Sequence, residues 1–195
     1  LTNTQLFHQQ AYINGRWVDS DSGEKTPVIN PSTGETIGSV PKMSAKQTRQ
    51  AIDAVNDSWP GWRSKTANER AAILRRWFDL IMGHQEDLAV LMTSEQGKPM
   101  AESRGEIAYA ASFVEWFAEE AKRICGEIMD LDWTPGAEQR VGLIRRFPIG
   151  VVGGISPFNF PLNLVAHKVA PAIASGNRIV LKPASKTPIL ALMLA

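Results

Sequence analysis

Two short segments carry the residue types best suited to chemistry. Ser156-Pro157-Phe158-Asn159 follows the run Gly150 to Ile155, and Lys182-Pro183-Ala184-Ser185 follows Arg178 to Leu181. Both preceding runs read as short strands, the second rich in β-branched residues. Pro161 suits the first turn of a helix, where its missing N–H costs nothing. That helix runs to about Ser175, with Gly176 as the residue just past its end. Strand, helix, strand is a βαβ unit and implies a parallel, doubly wound sheet, in which ligands sit beyond the C-terminal strand ends. The two segments therefore lie side by side. There a lysine such as Lys182 meets a ribose or phosphate as a point charge. The side-chain amide of Asn159 can donate to developing negative charge. From the residues alone the plainer readings stand beside these: a turn asparagine, a solvated lysine and a loop serine.

The elements that position these segments are legible in the same way. Tyr12 to Val18 holds Asn-Gly between short β-like runs, a strong hairpin signal. Val28-Ile29, the turn NPSTGE and Thr36 to Val40 form a second hairpin. Ser44 with Gln47, and Thr66 with Glu69, are capping boxes. The first opens a helix to about Ser58, stopping before Pro60; the second opens one to Gly83. A third helix spans Gln85 to Gln96 and ends at Gly97 and Pro99. A fourth runs from about Ala101 to Cys125, with Ile107, Ala110, Val114, Phe117 and Ala121 at helical spacing. Gly126 to Asp132 and Arg140 to Phe147 read as two strands joined around Pro135-Gly136. The bland reading of this pair is a surface hairpin.

Bulk properties exclude several classes. The 195 residues are 44% hydrophobic and 21% charged, as in ordinary globular proteins. A net charge of +1 gives no electrostatic case for nucleic acid or a membrane surface as partner. No apolar run approaches the ~20 residues of a membrane span, and LTNTQLFHQQ lacks a signal-peptide core. The single cysteine, Cys125, excludes an internal disulfide and is compatible with a reducing cytoplasm, where we place the protein. There is no HExxH, Walker A, GxSxG or paired-cysteine spacing, so no metal site is expected. GVVGG is not a GxGxxG fingerprint; its glycines fit close strand–helix packing. The chain opens without Met and closes on ILALMLA after Thr187 and Pro188, which read as N-cap and first helical residue. A helix apolar on every side needs burial on every side. We read the chain as the N-terminal part of a larger protein.

SPFNFP, followed by GN-x-x-V-x-KPAS-x-TP, resembles the entry to the cofactor domain of the NAD(P)-dependent aldehyde dehydrogenases. YINGRWV, NPSTGE, EQGKP and SFVEWFAEEAKRI match the same superfamily in order and spacing. This half most resembles the succinate-semialdehyde dehydrogenase branch. The resemblance implies an α/β fold: helices, the start of a doubly wound parallel nucleotide-binding sheet, and a protruding β ribbon. It divides the chain into residues 1–125 of the cofactor domain, a ribbon at 126–148 that serves oligomerisation, and a first βαβ unit at 149–195.

The resemblance also implies roles. Asn159 would be the catalytic residue, donating to the oxyanion of a thiohemiacetal. Ile155, Ser156, Pro157 and Phe158 would line the ribose pocket, with Lys182, Pro183, Ala184 and Ser185 opposite. Phe158 stands where many relatives have Trp. Ser185 stands where NAD-preferring relatives often have Glu. A carboxylate ~5 Å from a 2′-phosphate charge would repel it by about 3 kcal/mol at an effective dielectric near 20. Ser185, with Lys186 beside it, therefore implies that NADP is accepted as well as NAD. His167 departs from the semialdehyde branch, whose Arg at this place grips a substrate carboxylate in bidentate fashion. Imidazole is a poor substitute, and SPFNFPLNLVAHK instead resembles aldehyde dehydrogenases that act on small hydroxyaldehydes or on other semialdehydes; a histidine packed on its helix is the competing reading. Cys125 at a helix C-terminus is disfavoured as a thiolate. The nucleophilic Cys and general-base Glu would lie beyond residue 195, leaving this chain inactive alone and its parent a homo-oligomer. The alternative from another class is a non-catalytic nucleotide-binding or oligomerisation module.

Overall fold

The computed structural model describes residues 1–195. Asn14 and Gly15 have φ of 51° and 74°, the paired left-handed values of a tight hairpin turn. They join β1 (Ala11–Ile13) to β2 (Arg16–Val18). The second expected hairpin is β3 (Lys25–Ile29) against β4 (Thr36–Pro41). Four helices follow: α1 (Ala45–Arg63), α2 (Ala67–Gly83), α3 (Gln85–Gln96) and α4 (Met100–Glu120). Both capping boxes form as read from the sequence. Gly97 ends α3 with φ of 84°. A Cβ at Gly97 would lie 2.9 Å from Pro31 Cγ, so the NPSTGE turn packs directly on the EQGKP segment and glycine is needed there twice over.

Two helix ends differ from the sequence reading. Helix α1 continues through Pro60 to Arg63. A proline removes one N–H and crowds one carbonyl, and here it falls in the last turn, where packing outweighs that cost. Trp62 is buried beneath the Arg178 guanidinium, 5.0 Å from the ring centroid, and Trp59 Nε1 donates to the Gly176 carbonyl at 3.1 Å. Helix α4 stops at Glu120, short of Cys125. Its end tightens through Lys122 N to Glu119 O at 3.2 Å and Arg123 N to Glu120 O at 2.9 Å, the i−3 bonds common at helix termini. Cys125 lies beyond the helix and is exposed.

The ribbon is β5 (Glu127–Asp130) against β6 (Val141–Ile144). Ile128 and Leu143 on it are 76% and 66% exposed. The βαβ unit is β7 (Val151–Ile155), α5 (Asn163–Ala174) and β8 (Arg178–Lys182). The strands are parallel, with Val151 opposite Arg178 and Ile155 opposite Lys182. Asn177 sets this register from a buried position: its Oδ1 accepts from Gly150 N at 3.0 Å. Gly176 is left-handed, as a residue just past a helix end should be. The core is one cluster that includes Leu74, Met92, Ile107, Val114, Leu162, Ile189 and Leu190, all fully buried, drawn from α2, α3, α4 and a last short helix, α6 (Pro188–Leu192), together with the entrance to α5.

Helix α6 (Pro188–Leu192) starts at Pro188 as expected, but Thr187 does not cap it. The Thr187 hydroxyl is buried without a partner. The cap comes instead from Glu95 on α3, whose carboxylate accepts from Ile189 N at 2.7 Å and Leu190 N at 3.0 Å. Glu95 is 2% exposed. Burial raises its pKa from 4.5 to about 7 against the opposing pull of those two N–H groups. A folded-state value above the unfolded one means that the folded state binds the extra proton. Stability is then full below about pH 4.5 and falls by up to about 3 kcal/mol as pH rises toward 7. The Glu95→Gln variant lacks this slope. Urea unfolding of both proteins at roughly pH 5 and roughly pH 8 should shift the stability difference toward the variant by up to about 3 kcal/mol at the higher pH. A difference that does not change with pH would show that Glu95 ionises without penalty.

Candidate active site

The C-terminal ends of β7 and β8 meet as the βαβ reading requires. Ser156 N donates to Lys182 O at 3.2 Å. Ser156 itself is buried, whereas Ile155 is 73% exposed and Phe158 57% exposed, so the strand end presents Ile155 and Phe158, not the serine hydroxyl. Pro157 and Asn159 are exposed beside them. Across from them, Lys182 Nζ donates to Pro183 O at 2.9 Å and to Ser185 Oγ at 3.2 Å. Pro183 and Ala184 are half-buried and fix the loop. Lys182 pairs with no carboxylate. An ammonium and a hydroxyl held together beside an exposed apolar shelf suit a ribose bearing hydroxyl or phosphate groups. The residues present thus fit the expected dinucleotide.

Asn159 occupies the bend between β7 and α5. A turn-forming asparagine would adopt a left-handed backbone or bond its own chain through the side chain. Neither holds here: Asn14 is the one non-glycine residue with positive φ. Nor does the Asn159 side chain appear in any hydrogen bond of the chain; only its carbonyl is engaged, accepting from Lys98 Nζ at 3.5 Å. The amide is left free to meet a ligand.

Lys98 and Glu106 are the residues that sequence reasoning missed. The α3–α4 turn delivers Lys98, and α4 carries Glu106. The two side chains form an ion pair and are 9% and 1% exposed. Glu106 Oε1 accepts from Leu162 N at 3.1 Å and Asn163 N at 3.2 Å. This explains why α5 begins at Asn163 and not at Pro161: the carboxylate takes the first free N–H groups, and Pro161 stays in the approach to the helix. Lys98 Nζ also lies 4.3 Å from the Phe160 ring centroid. A signal existed in the sequence. Glu106 shares the helical face of Ala110 and Val114, where a charge demands a partner.

His167 sits on α5 with its ring 3.8 Å from that of Phe113, tilted by 59°. Its Nε2 is buried without a partner. Burial lowers its pKa, and the neighbouring Lys168 lowers it further. The imidazole is therefore neutral near pH 7 and cannot serve as the cationic clamp of the semialdehyde branch. Cys125 stands after α4, in the approach to the ribbon, and takes no part in the arrangement at the strand ends. A hollow of about 690 Å³ reaches Lys182–Ser185 but not Phe158 or Asn159, and 18 of its 28 lining residues are hydrophobic. It runs under β8 toward α1, α5 and α6, and its walls suit packed protein better than a polar ligand. No helix is long and apolar enough to cross a membrane.

Comparison with known proteins bears on the family and the fold. The sequence profile of the aldehyde dehydrogenase family matches residues 17–195. The whole chain is 56% identical to the glutarate-semialdehyde dehydrogenase of Pseudomonas putida, of which it covers 40%. It is also 56% identical to the succinate-semialdehyde dehydrogenase (NADP+) of Escherichia coli, again covering 40%. Its backbone superposes on the crystal structure of an NADP-dependent enzyme from E. coli with a TM-score of 0.94 at 54% identity, covering 100% of this chain and 40% of that one. The chain thus spans about 40% of the length of the curated relatives it matches. With the profile accounting for all but the first sixteen residues and the superposition for the backbone, the chain belongs to the aldehyde dehydrogenase family.

Proposed function

We propose that the protein carrying this chain oxidises a small aldehyde or semialdehyde to the carboxylic acid with NADP or NAD. The observation that carries the proposal is the free amide of Asn159, held beside the strand end that the dinucleotide faces. The names of the two relatives, a glutarate- and a succinate-semialdehyde dehydrogenase (NADP+), support the substrate class and the cofactor. When bound, the nicotinamide supplies the hydride acceptor. A thiolate from the remainder of the protein adds to the aldehyde carbon, and the carbonyl electron pair moves onto oxygen. Asn159 donates its amide N–H to that oxygen. Loss of hydride from the same carbon leaves a thioester, which water hydrolyses to the acid with a carboxylate as general base. These 195 residues alone hold no suitable thiol and should be inactive.

Around this centre, Lys182 and Ser185 receive the ribose and Ile155, Pro157 and Phe158 line its pocket. Ser156 contributes through its backbone at the end of β7. Neutral His167 widens the substrate range beyond substrates held by a carboxylate clamp. The 126–148 ribbon, with its exposed apolar side chains, serves a homo-oligomer. Residues 1–125 and 149–195 form the cofactor domain around it, and the protein works in the cytoplasm on a small-molecule partner.

In the full-length protein, Asn159→Ala should lower kcat by about 10²–10³-fold with little change in cofactor affinity, because the amide acts on the transition state. Single-turnover kinetics with a short semialdehyde checks this, and an unchanged rate of hydride transfer would remove Asn159 from the mechanism. The cofactor reading is tested separately. Ser185→Glu should weaken NADP by roughly 2–3 kcal/mol, a Coulomb repulsion reduced by screening. NAD should be little affected or bound better, since a carboxylate accepts from both ribose hydroxyls. The measurement is kcat/KM for both cofactors at fixed ionic strength. A wild type that strongly prefers NAD, with a ratio unmoved by the substitution, would reduce Ser185 to a loop serine.

A further inference from the structure

The buried Lys98–Glu106 pair is not explained by stability. Replacing such a pair with apolar groups of equal volume is often neutral or stabilising, because desolvation offsets the attraction. What the pair does is fix geometry. Glu106 spends one oxygen on Lys98 and the other on the N–H groups of Leu162 and Asn163. The ammonium so anchored donates to the Asn159 carbonyl and rests on the Phe160 ring. The bend from Phe158 to Leu162 is thereby gripped at its middle and at its end by one charge network from α3 and α4. Nothing within the chain orients the Asn159 amide through its own side chain, so the direction of that amide follows from the peptide that carries it.

We propose that Lys98, anchored by Glu106, is a positioning residue for catalysis: it holds the Asn159 peptide so that the side-chain amide faces the reacting oxygen. This rests on the oxyanion reading of Asn159. A displacement of about 1 Å in such a donor costs up to about 10²-fold in rate, and the grip on the carbonyl prevents it.

The test is a double-mutant cycle in the full-length protein with Lys98→Met, Asn159→Ala and the two combined. Three quantities are read: the single-turnover rate of nicotinamide reduction with a saturating short semialdehyde, the cofactor dissociation constant and the thermal midpoint. Lys98→Met should slow the single turnover by about 10- to 100-fold while cofactor affinity stays near wild type. Its thermal midpoint falls, because the buried Glu106 carboxylate loses its cation, and adding Glu106→Gln should raise the midpoint again without restoring the rate. In the Asn159→Ala background the same substitution should cost less than about twofold, because its effect passes through Asn159. Equal factors in both backgrounds, or no loss in the single variant, overturn the proposal. So does a rate loss that merely tracks lost cofactor affinity, or one that the added Glu106→Gln reverses together with the thermal midpoint. Failure of the underlying reading is seen in a different protein: Asn159→Ala alone would then turn over like wild type. If Lys98→Met does not fold, the neutral pair Lys98→Met with Glu106→Gln, which retains an acceptor for the α5 N–H groups, takes its place in the cycle. A neutral pair that also fails to fold makes the role structural and overturns the proposal.

Discussion

Two helix N-termini, those of α5 and α6, are capped by carboxylates from other helices, and the rest of the structure depends on that arrangement. An α-helix leaves its first four N–H groups without intrahelical partners, and burying them unpaired costs as much as a lost hydrogen bond each. Neither α5 nor α6 receives a side-chain bond from its own N-cap residue. Each borrows a carboxylate instead. Glu106 serves α5 across 56 residues, and Glu95 serves α6 across 94. Both carboxylates are nearly inaccessible. Glu106 meets the helix end and the Lys98 ammonium together, whereas Glu95 has the helix end alone and its pKa rises. The βαβ unit is therefore not free to settle on its own. Its helix docks on the carboxylate that α4 presents, and the helix that follows β8 docks on the one from α3.

That constraint reaches the candidate site directly. The turn holding Asn159 lies between β7, whose direction is set by pairing with β8, and α5, whose start is set by Glu106. The α3–α4 turn contributes Lys98 to the same place, and Gly97 allows that turn to close against Pro31. NPSTGE, EQGKP and SPFNFP are far apart in sequence and look like separate motifs. In the structure they are one chain of contacts: Pro31 on Gly97, Lys98 on Asn159 and Phe160, Glu106 on Leu162 and Asn163.

The division between what the sequence showed and what it hid follows the range of the interaction. The Ser44–Gln47 and Thr66–Glu69 boxes, the Asn14-Gly15 turn and the left-handed Gly97 and Gly176 are all settled within about four residues, and each was read where it stands. The parallel pairing of β7 with β8 followed from chain order. The errors are of another kind. Thr187 has the right type and place for an N-cap and is passed over for Glu95. Pro161 has the right type for a first helical residue, yet the helix starts two positions later at the carboxylate of Glu106. Pro60 should stop α1, yet the burial of Trp62 carries the helix past it. Each time a distant partner outweighed a local preference worth about 1 kcal/mol or a few. The candidate residues at the strand ends could be placed together from sequence; for Glu106 the sequence showed a charge on an apolar face but not its partners, which come from the contact of α4 with the start of α5 and from Lys98.

Exposure and burial divide the work of the site. Ile155, Phe158 and Asn159 face outward, as the ligand-binding roles proposed for them require. An exposed bend with a free amide is also the part of a fold most prone to wander. The buried pair behind it supplies what the bend lacks: a charge that salt screens much less at that depth, bonded to a backbone carbonyl. Apolar packing could hold the same helices together, but it has no preferred direction. An ion pair bonded to a carbonyl on one side and to two N–H groups on the other has one. Specified direction, more than stability, is what a donor aimed at a single oxygen requires.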